Sequence, residues 1–374
     1  MIPRIQKQEI QDKLLANKLL FIQGPRKVGK RSLIEEIFNE KKIEYIFFDC
    51  AEKHISKSIE QNPQDLESFS GYIVLYEAQY LKNLNDILEN VLLGKIKSTV
   101  VVSCSFVPEV EPELLEAMKM EGLEINLFAP TFYESAQHFG LPEEEKLLEE
   151  RLIYGSYPEV LADLPMAEVT LREIIQEAVF TKLSGKERIN KGDKLLRMLQ
   201  LLAFNVGETI SYNDISERCG LDNETVERYI RLLEDAFLLF RLSSFHTEKR
   251  YELKKSNMVY FVDNGVRNVL ISNFNPTFLR NDMNELWRNY VIAERLKWMR
   301  MHQSKTAVYF WKTHTRQQMD LVEINDRGIR AFKTDWEKRK KVKFPKSFKE
   351  AYPDAKVSVL NRSTYWSFLS QKKV

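Results

Sequence analysis

Residues 19–39 read LLFIQGPRKVGKRSLIEEIFN. Leu19–Gln23 is a short, continuously apolar run, the pattern of a buried strand. From Lys30 to Asn39 the apolar residues fall at helical spacing. Between them Gly24-Pro25-Arg26-Lys27-Val28-Gly29-Lys30 fits GxxxxGK. A strand, this loop and then a helix form the context in which that spacing has a chemical meaning. Glycines let backbone N–H groups curl around phosphate oxygens. The helix N-terminus adds positive potential, and Lys30 reaches the β and γ phosphates. Candidate nucleotide-binding residues are therefore Gly24, Arg26, Val28, Gly29, Lys30, Arg31 and Ser32.

Outward from the loop, Ile43–Asp49, Tyr72–Tyr76, Thr99–Ser103 and Leu123–Phe128 are further strand candidates separated by helical patterns. Continuous apolar strands of this kind predict a parallel sheet covered on both faces. The fold class is thus α/β at the start. Beyond Pro130 the pattern predicts a mostly helical stretch, interrupted by YGSYPEV at 154–160.

The chain has 374 residues, with 44% hydrophobic and 29% charged, which suits several soluble globular domains. A net charge of +2 supplies no global attraction for nucleic acid, so any such contact needs a local basic face. Three scattered cysteines without CxxC spacing exclude a zinc ribbon. No run approaches the ~20 apolar residues of a spanning helix. The expectation is a reduced, cytoplasmic protein without membrane contact.

Two positions depart from the usual magnesium chemistry. The residue after the P-loop lysine normally places a hydroxyl on Mg²⁺. Here it is Arg31, and Ser32 comes one residue, ~100° of helix, too late. The third strand ends Tyr76-Glu77, and a neutral phenol is a poor magnesium ligand. Glu77 remains as a residual base. The reading expects ATP or ADP as ligand with Mg²⁺ doubtful, Arg31 replacing part of the metal's charge or pairing with Glu77. The alternatives are a vestigial fold that binds no nucleotide and serves as an interaction scaffold, and a working ATPase that recruits metal through Ser32 and water.

GPRKVGK, YEAQYL after the third strand, VVSCS, LFAPTFYES and YGSYPEV occur in the order GPRQVGKT, DEAQ, TGSS, PLSF and GGYPEV. In this the chain resembles prokaryotic AAA-type P-loop ATPases that carry a winged helix and a C-terminal restriction-nuclease-like domain. Arg31 for Thr, Tyr76 for Asp and Cys104 for Gly are the departures. The resemblance implies a γ-phosphate sensor at Ser105. It also implies an organisation of 1–140 for the P-loop domain, 141–190 for a helical lid, 191–250 for the winged helix and 251–374 for the nuclease-like domain.

In the winged-helix candidate, Asp222 or Asn223 caps a third helix carrying Thr225, Arg228 and Arg231 as candidate DNA contacts. Glu224, Glu227 and Glu234 are interleaved, which weakens phosphate affinity, so a protein-docking role is the alternative. A restriction-nuclease core needs an acidic residue and then Glu-x-Lys. Glu294 and Asp320 are candidates for the former. The strand AFKTDW sets Lys333 where the carboxylate belongs and Asp335 where the lysine belongs, so the remnant is expected to cleave nothing and to hold no metal. Its charges then read as surface or fold-supporting groups.

Overall fold

In the computed structural model, residues 2–182, 185–246, 256–337 and 342–370 are described, with only the backbone described in 180–191. The chain divides into two compact units, Met1–Pro130 and Thr131–Val374.

The first unit runs α1 (Lys7–Ala16), β1 (Leu19–Gln23), α2 (Lys30–Lys41), β2 (Tyr45–Asp49), α3 (Lys53–Gln61), α4 (Asp65–Ser68), β3 (Tyr72–Tyr76), α5 (Leu84–Leu92), β4 (Thr99–Cys104), α6 (Pro112–Met120) and β5 (Glu124–Asn126). Its five strands are all parallel, in the order β2-β3-β4-β1-β5. Every residue of β1 and β4 is buried, as strands covered on both faces must be. Leu19, Phe21, Ile73, Leu75, Val100 and Val102 pack on one face with Ile87, Leu88 and Val91 of α5. Registers place Gln23 beside Cys104 and Tyr76 beside Ser103. The residues after β1, β3 and β4 therefore emerge together at the carboxyl end of the sheet, where open α/β sheets bind ligands.

The second unit opens with α7 (Phe132–Phe139), α8 (Leu141–Lys146), α9 (Leu148–Tyr154), α10 (Pro158–Ala162) and α11 (Ala167–Lys182). Thr131 and Glu134 form a capping box on α7. The YGSYPEV segment, expected as a break, ends α9 and begins α10; a proline at a first helical turn costs no hydrogen bond. Next come α12 (Gly185–Phe204), β6 (Thr209–Ile210), α13 (Tyr212–Cys219), α14 (Asn223–Asp235), β7 (Leu239–Ser244) and β8 (Asn257–Phe261). The chain continues through α15 (Asn264–Leu270), α16 (Met283–Met301), β9 (Ala307–Lys312), β10 (Gln318–Asn325), β11 (Gly328–Thr334), α17 (Lys346–Ala351), β12 (Lys356–Leu360) and α18 (Tyr365–Leu369). Among the described residues its seven strands form one sheet, β12-β11-β10-β9-β7-β8-β6, antiparallel except at β11/β12 and β7/β9. Helix α16 is buried on nearly every side, and its Trp287 indole N–H donates to Leu360 O at 2.9 Å. Lysines 338, 340 and 341 of the basic stretch lie outside the described residues.

Candidate functional site

Gly24 follows β1, and its N–H donates to Cys104 O at 3.2 Å. A Cβ on Gly24 would lie 1.8 Å from Leu127 O, so only glycine fits where the loop leaves the sheet. Gly29 takes φ +92° as N-cap of α2, a left-handed backbone that glycine adopts without strain. Arg4, which the sequence alone did not mark, is buried and donates from Nη1 to Val28 O at 3.0 Å, bracing the loop from a position 24 residues away.

Lys30 is 3% exposed. Its Nζ donates to Gly24 O at 2.9 Å, Pro25 O at 2.7 Å and Ser105 Oγ at 2.9 Å. All three are neutral oxygens, and among the described residues no carboxylate contacts the ammonium directly. Burial lowers its pKa to about 8, with the Glu77 charge opposing the shift. A buried ammonium solvated only by dipoles, beside a left-handed glycine at a helix start, fits an anionic phosphate.

Glu77 is 4% exposed and takes φ +53°, an uncommon backbone for a glutamate. Its carboxylate accepts from the Ser105 hydroxyl and from Gln79 Nε2, and Arg26 Nη2 stands 3.5 Å away. Arg26 also donates to Tyr80 OH at 2.9 Å, and Ser105 N–H donates to Gln79 Oε1 at 3.2 Å. Gln79 and Tyr80 were not singled out by sequence, because a short turn after β3 carries no periodic signal.

The two residues at the positions expected to contact magnesium make other contacts. Arg31 Nε pairs with Glu35 Oε1 at 2.7 Å, and its guanidinium lies 4.6 Å from the centre of the Phe47 ring. The expected pairing of Arg31 with Glu77 is therefore corrected. On a helix, the residue four positions on is the nearest partner, and Arg26 holds Glu77 instead. Tyr76 stacks on Phe47 with centroids 5.7 Å apart, and burial pushes its phenol far above the usual range. A protonated phenol cannot serve as an anionic ligand. Ser32 is half-buried one residue further round α2. Burial also raises the Cys104 thiol strongly, leaving it inert.

In the second unit Thr225, a candidate DNA contact, sits in the cap of α14. It is 7% exposed, its N–H donates to Asp222 at 2.7 Å and its hydroxyl to the same carboxylate at 2.8 Å. It belongs to the helix cap, where a short polar side chain satisfies the first turn. Arg228 lies over the Tyr229 ring, and Arg231 is exposed and 3.3 Å from Glu227.

Of the nuclease-like residues, Asp320 and Lys333 meet, while Glu294 makes its contacts elsewhere. Arg288 and Arg295, two turns apart on α16, face β10 and meet Asp320 at 3.9 Å and Glu323 at 2.7 Å. Glu294 lies ~100° round the helix from Arg295. It faces α7, where it accepts from Phe132 N–H at 2.6 Å, and it also pairs with Lys297. Asp320 is saturated: Oδ1 takes Gln318 Nε2 at 2.8 Å and Lys333 Nζ at 3.5 Å, and Oδ2 takes Thr334 N–H at 2.7 Å and its hydroxyl at 3.1 Å. Asp335 is buried and not a surface charge. Among the described residues no cluster of His, Cys, Asp or Glu is arranged to hold a metal ion. No helix among them is long and apolar enough to cross a membrane.

Residues 16–136 match the AAA domain family. Residues 145–277 and 283–369 match two families described as domains of unknown function, DUF8612 and DUF4143. The chain is 26% identical over 272 residues to an uncharacterised protein of Haemophilus influenzae, covering 66% of this chain and 67% of that protein. It is 32% identical over 90 residues to mitochondrial escape protein 2 of Schizosaccharomyces pombe, covering 24% of this chain and 11% of that protein. Among solved structures, the Walker-type ATPase of Pyrococcus abyssi aligns with TM-score 0.49 at 16% identity, covering 72% of this chain and 96% of that one. RuvB of Thermotoga maritima aligns at 0.31 and 14%, covering 63% and 88%. The family match over residues 16–136 and the parallel sheet with its phosphate loop give the first unit an AAA-type, P-loop ATPase-like fold. In this chain that domain is joined to a second unit of helices and a mixed sheet.

Proposed function

We propose that the chain is a nucleotide-binding AAA-type P-loop protein whose magnesium-dependent hydrolysis is impaired, and whose second unit binds DNA or a protein partner in response to the nucleotide. Gly24, Val28, Gly29 and Lys30 hold the phosphates of ATP or ADP, with Arg26 and Ser105 at the outer end and Glu77 as the residual base. The observation that carries this reading is the buried Lys30 ammonium, which faces neutral oxygens alone.

Support for the second unit's role comes from element order. Helix α12, strand β6, helices α13 and α14, then β7 and β8 paired antiparallel follow the sequence of a winged helix. The strands β9 to β12 with α16 and α17 fit a nuclease-like remnant. The saturation of Asp320 by Lys333, Gln318 and Thr334 speaks for a role in folding and against cleavage.

Isothermal titration with ATP, ADP and non-hydrolysable ATP, each with magnesium and with chelator, tests the nucleotide reading. Binding that is lost in Lys30→Ala is the expected result. Wild-type protein that takes up none of the three would leave the P-loop domain as a structural scaffold.

A further inference from the structure

Three hydrogen-bond donors converge on one carboxylate at the mouth of the phosphate loop. Ser105 Oγ donates to Glu77, Gln79 Nε2 donates to it, and Arg26 Nη2 stands 3.5 Å away. Lys30 enters the same chain through Ser105, donating to the hydroxyl that donates to Glu77. Two cations and two neutral donors thus surround a single buried anion. That donor set resembles the one a terminal phosphate demands: a loop guanidinium, the P-loop lysine and a polar group after the fourth strand.

The backbone at Glu77 is part of the arrangement. Its φ of +53° directs the residue out of the β3 line into the turn Ala78–Tyr80. A glutamate held left-handed is a local cost that the surrounding contacts must offset. Those contacts are the ones just named. Gln79 braces both ends of the set, donating to Glu77 and accepting from Ser105 N–H at 3.2 Å.

We propose that the Glu77 carboxylate is an internal anion occupying the electrostatic place of a terminal phosphate, so that a nucleoside triphosphate must displace it while a diphosphate need not. The proposal rests on the nucleotide-binding reading and adds to it a specificity-determining residue. ADP contacts the inner loop around Gly29 and leaves the Arg26–Glu77–Ser105 set in place. ATP brings a fourth negative charge to the same donors and meets repulsion from Glu77 until the carboxylate withdraws. The wild-type site then favours ADP over ATP relative to a site without this carboxylate.

The test is a binding titration of ADP and of non-hydrolysable ATP, in chelator so that turnover plays no part. Wild type is compared with Glu77→Gln, which keeps shape and removes charge, and with Glu77→Asn, whose side chain tolerates the left-handed backbone. The thermal unfolding midpoint of each protein without nucleotide is recorded alongside. Both variants should bind the ATP analogue about tenfold more tightly, and ADP within about threefold of wild type, a tenfold change being about 1.4 kcal/mol. Their unliganded midpoints should fall, because Lys30 and Arg26 lose the anion that balances them. Equal tightening of both nucleotides, or weaker binding of the ATP analogue, overturns the proposal and leaves nucleotide binding standing. Absence of binding by wild type and both variants overturns the proposal together with the reading beneath it.

Discussion

Arg31 and Glu35 stand one helical turn apart on α2 and pair at 2.7 Å, with the guanidinium against the Phe47 ring. The pair is half-exposed, the Arg31 side chain retaining 51% of its accessible surface. Such pairs stabilise a fold by about 1 kcal/mol or less. Arg31 is therefore engaged on the outside of the helix and does not stand in for the metal. Arg31→Ala should change ATP affinity by no more than about fivefold, the equivalent of about 1 kcal/mol. Lys30→Ala should abolish binding, and chelation should change little, because neither Arg31 nor Tyr76 offers the ion a ligand. Titration of the two variants with and without magnesium decides this. A strong loss on chelation in wild type would refute it.

The pH dependence of binding follows from Lys30. Its pKa is lowered to about 8 from 10.5. Between those values the unfolded chain holds more protons than the folded one, so stability contributed by this group rises with pH across that window. Nucleotide affinity runs the other way, because a neutral amine no longer attracts phosphate. Affinity for ATP should fall steadily above pH 8 while the unliganded midpoint does not fall on Lys30's account. In Lys30→Arg, whose guanidinium stays charged, any remaining affinity should be flat over the same range. A flat profile in wild type would contradict the assignment.

Hydrolysis should be limited by the metal contacts. Arg31→Thr with Tyr76→Asp should raise steady-state phosphate release by roughly two powers of ten, the scale of one well-placed electrostatic group. Each single change should do much less, since both serve one ion. Glu77→Gln in the doubly altered protein should return the rate to baseline. A folded double variant that binds Mg-ATP and stays inert would place the defect elsewhere, for instance at the Arg26–Glu77 contact.

Asp320 should prove a folding residue. Asp320→Ala strips the counter-charge from Lys333 and Arg288 and leaves the Thr334 N–H without its acceptor. Removing one partner of a buried charged network costs roughly 3 kcal/mol or more. The expected outcome is a clear drop in unfolding midpoint. Plasmid DNA incubated with wild type and Mg²⁺ or Mn²⁺ should stay intact. Nicking that vanishes in the variant would show a living metal site.

If the second unit binds DNA through α14, Arg228 and Arg231 meet the phosphates. Replacing both with Ala should lower the log–log salt slope by about one unit for each phosphate that is no longer neutralised. Thr225→Ala should act through stability alone, by about 1 kcal/mol, since its hydroxyl serves Asp222 at the helix start. Unchanged DNA affinity in the double variant would favour protein docking.

The phosphate loop was legible because glycines, strand and helix leave signals within a dozen residues of one another. The strand order β2-β3-β4-β1-β5 was not, since local patterns carry no information about which strands pair. Arg4 and Gln79 escaped for the same reason: they reach Val28 and Ser105 across 24 and 26 residues. The contact of Glu294 with Phe132 is not legible because α16 is buried on nearly all sides, so no polar stripe tells which face meets β10. Residue type alone suggests a DNA contact at Thr225, yet its place three residues after Asp222 already marks a cap.

The β7–β9 pairing has a consequence for how the chain can be dissected. Strand β7 is bonded to β8 on one side and to β9 on the other, the only strand pairing between β6 to β8 and β9 to β12 among the described residues. A fragment ending after β8, or one starting at β9, would lay bare the backbone groups of Ser243 and Ser244 or of Tyr309 and Phe310 that pair across the two strands. Exposed edges of that kind recruit other chains. Truncations made between the two halves should therefore yield inclusion bodies or tangled multimers and not two tractable pieces, whereas a cut near residue 130 falls between the two sheets of the described residues.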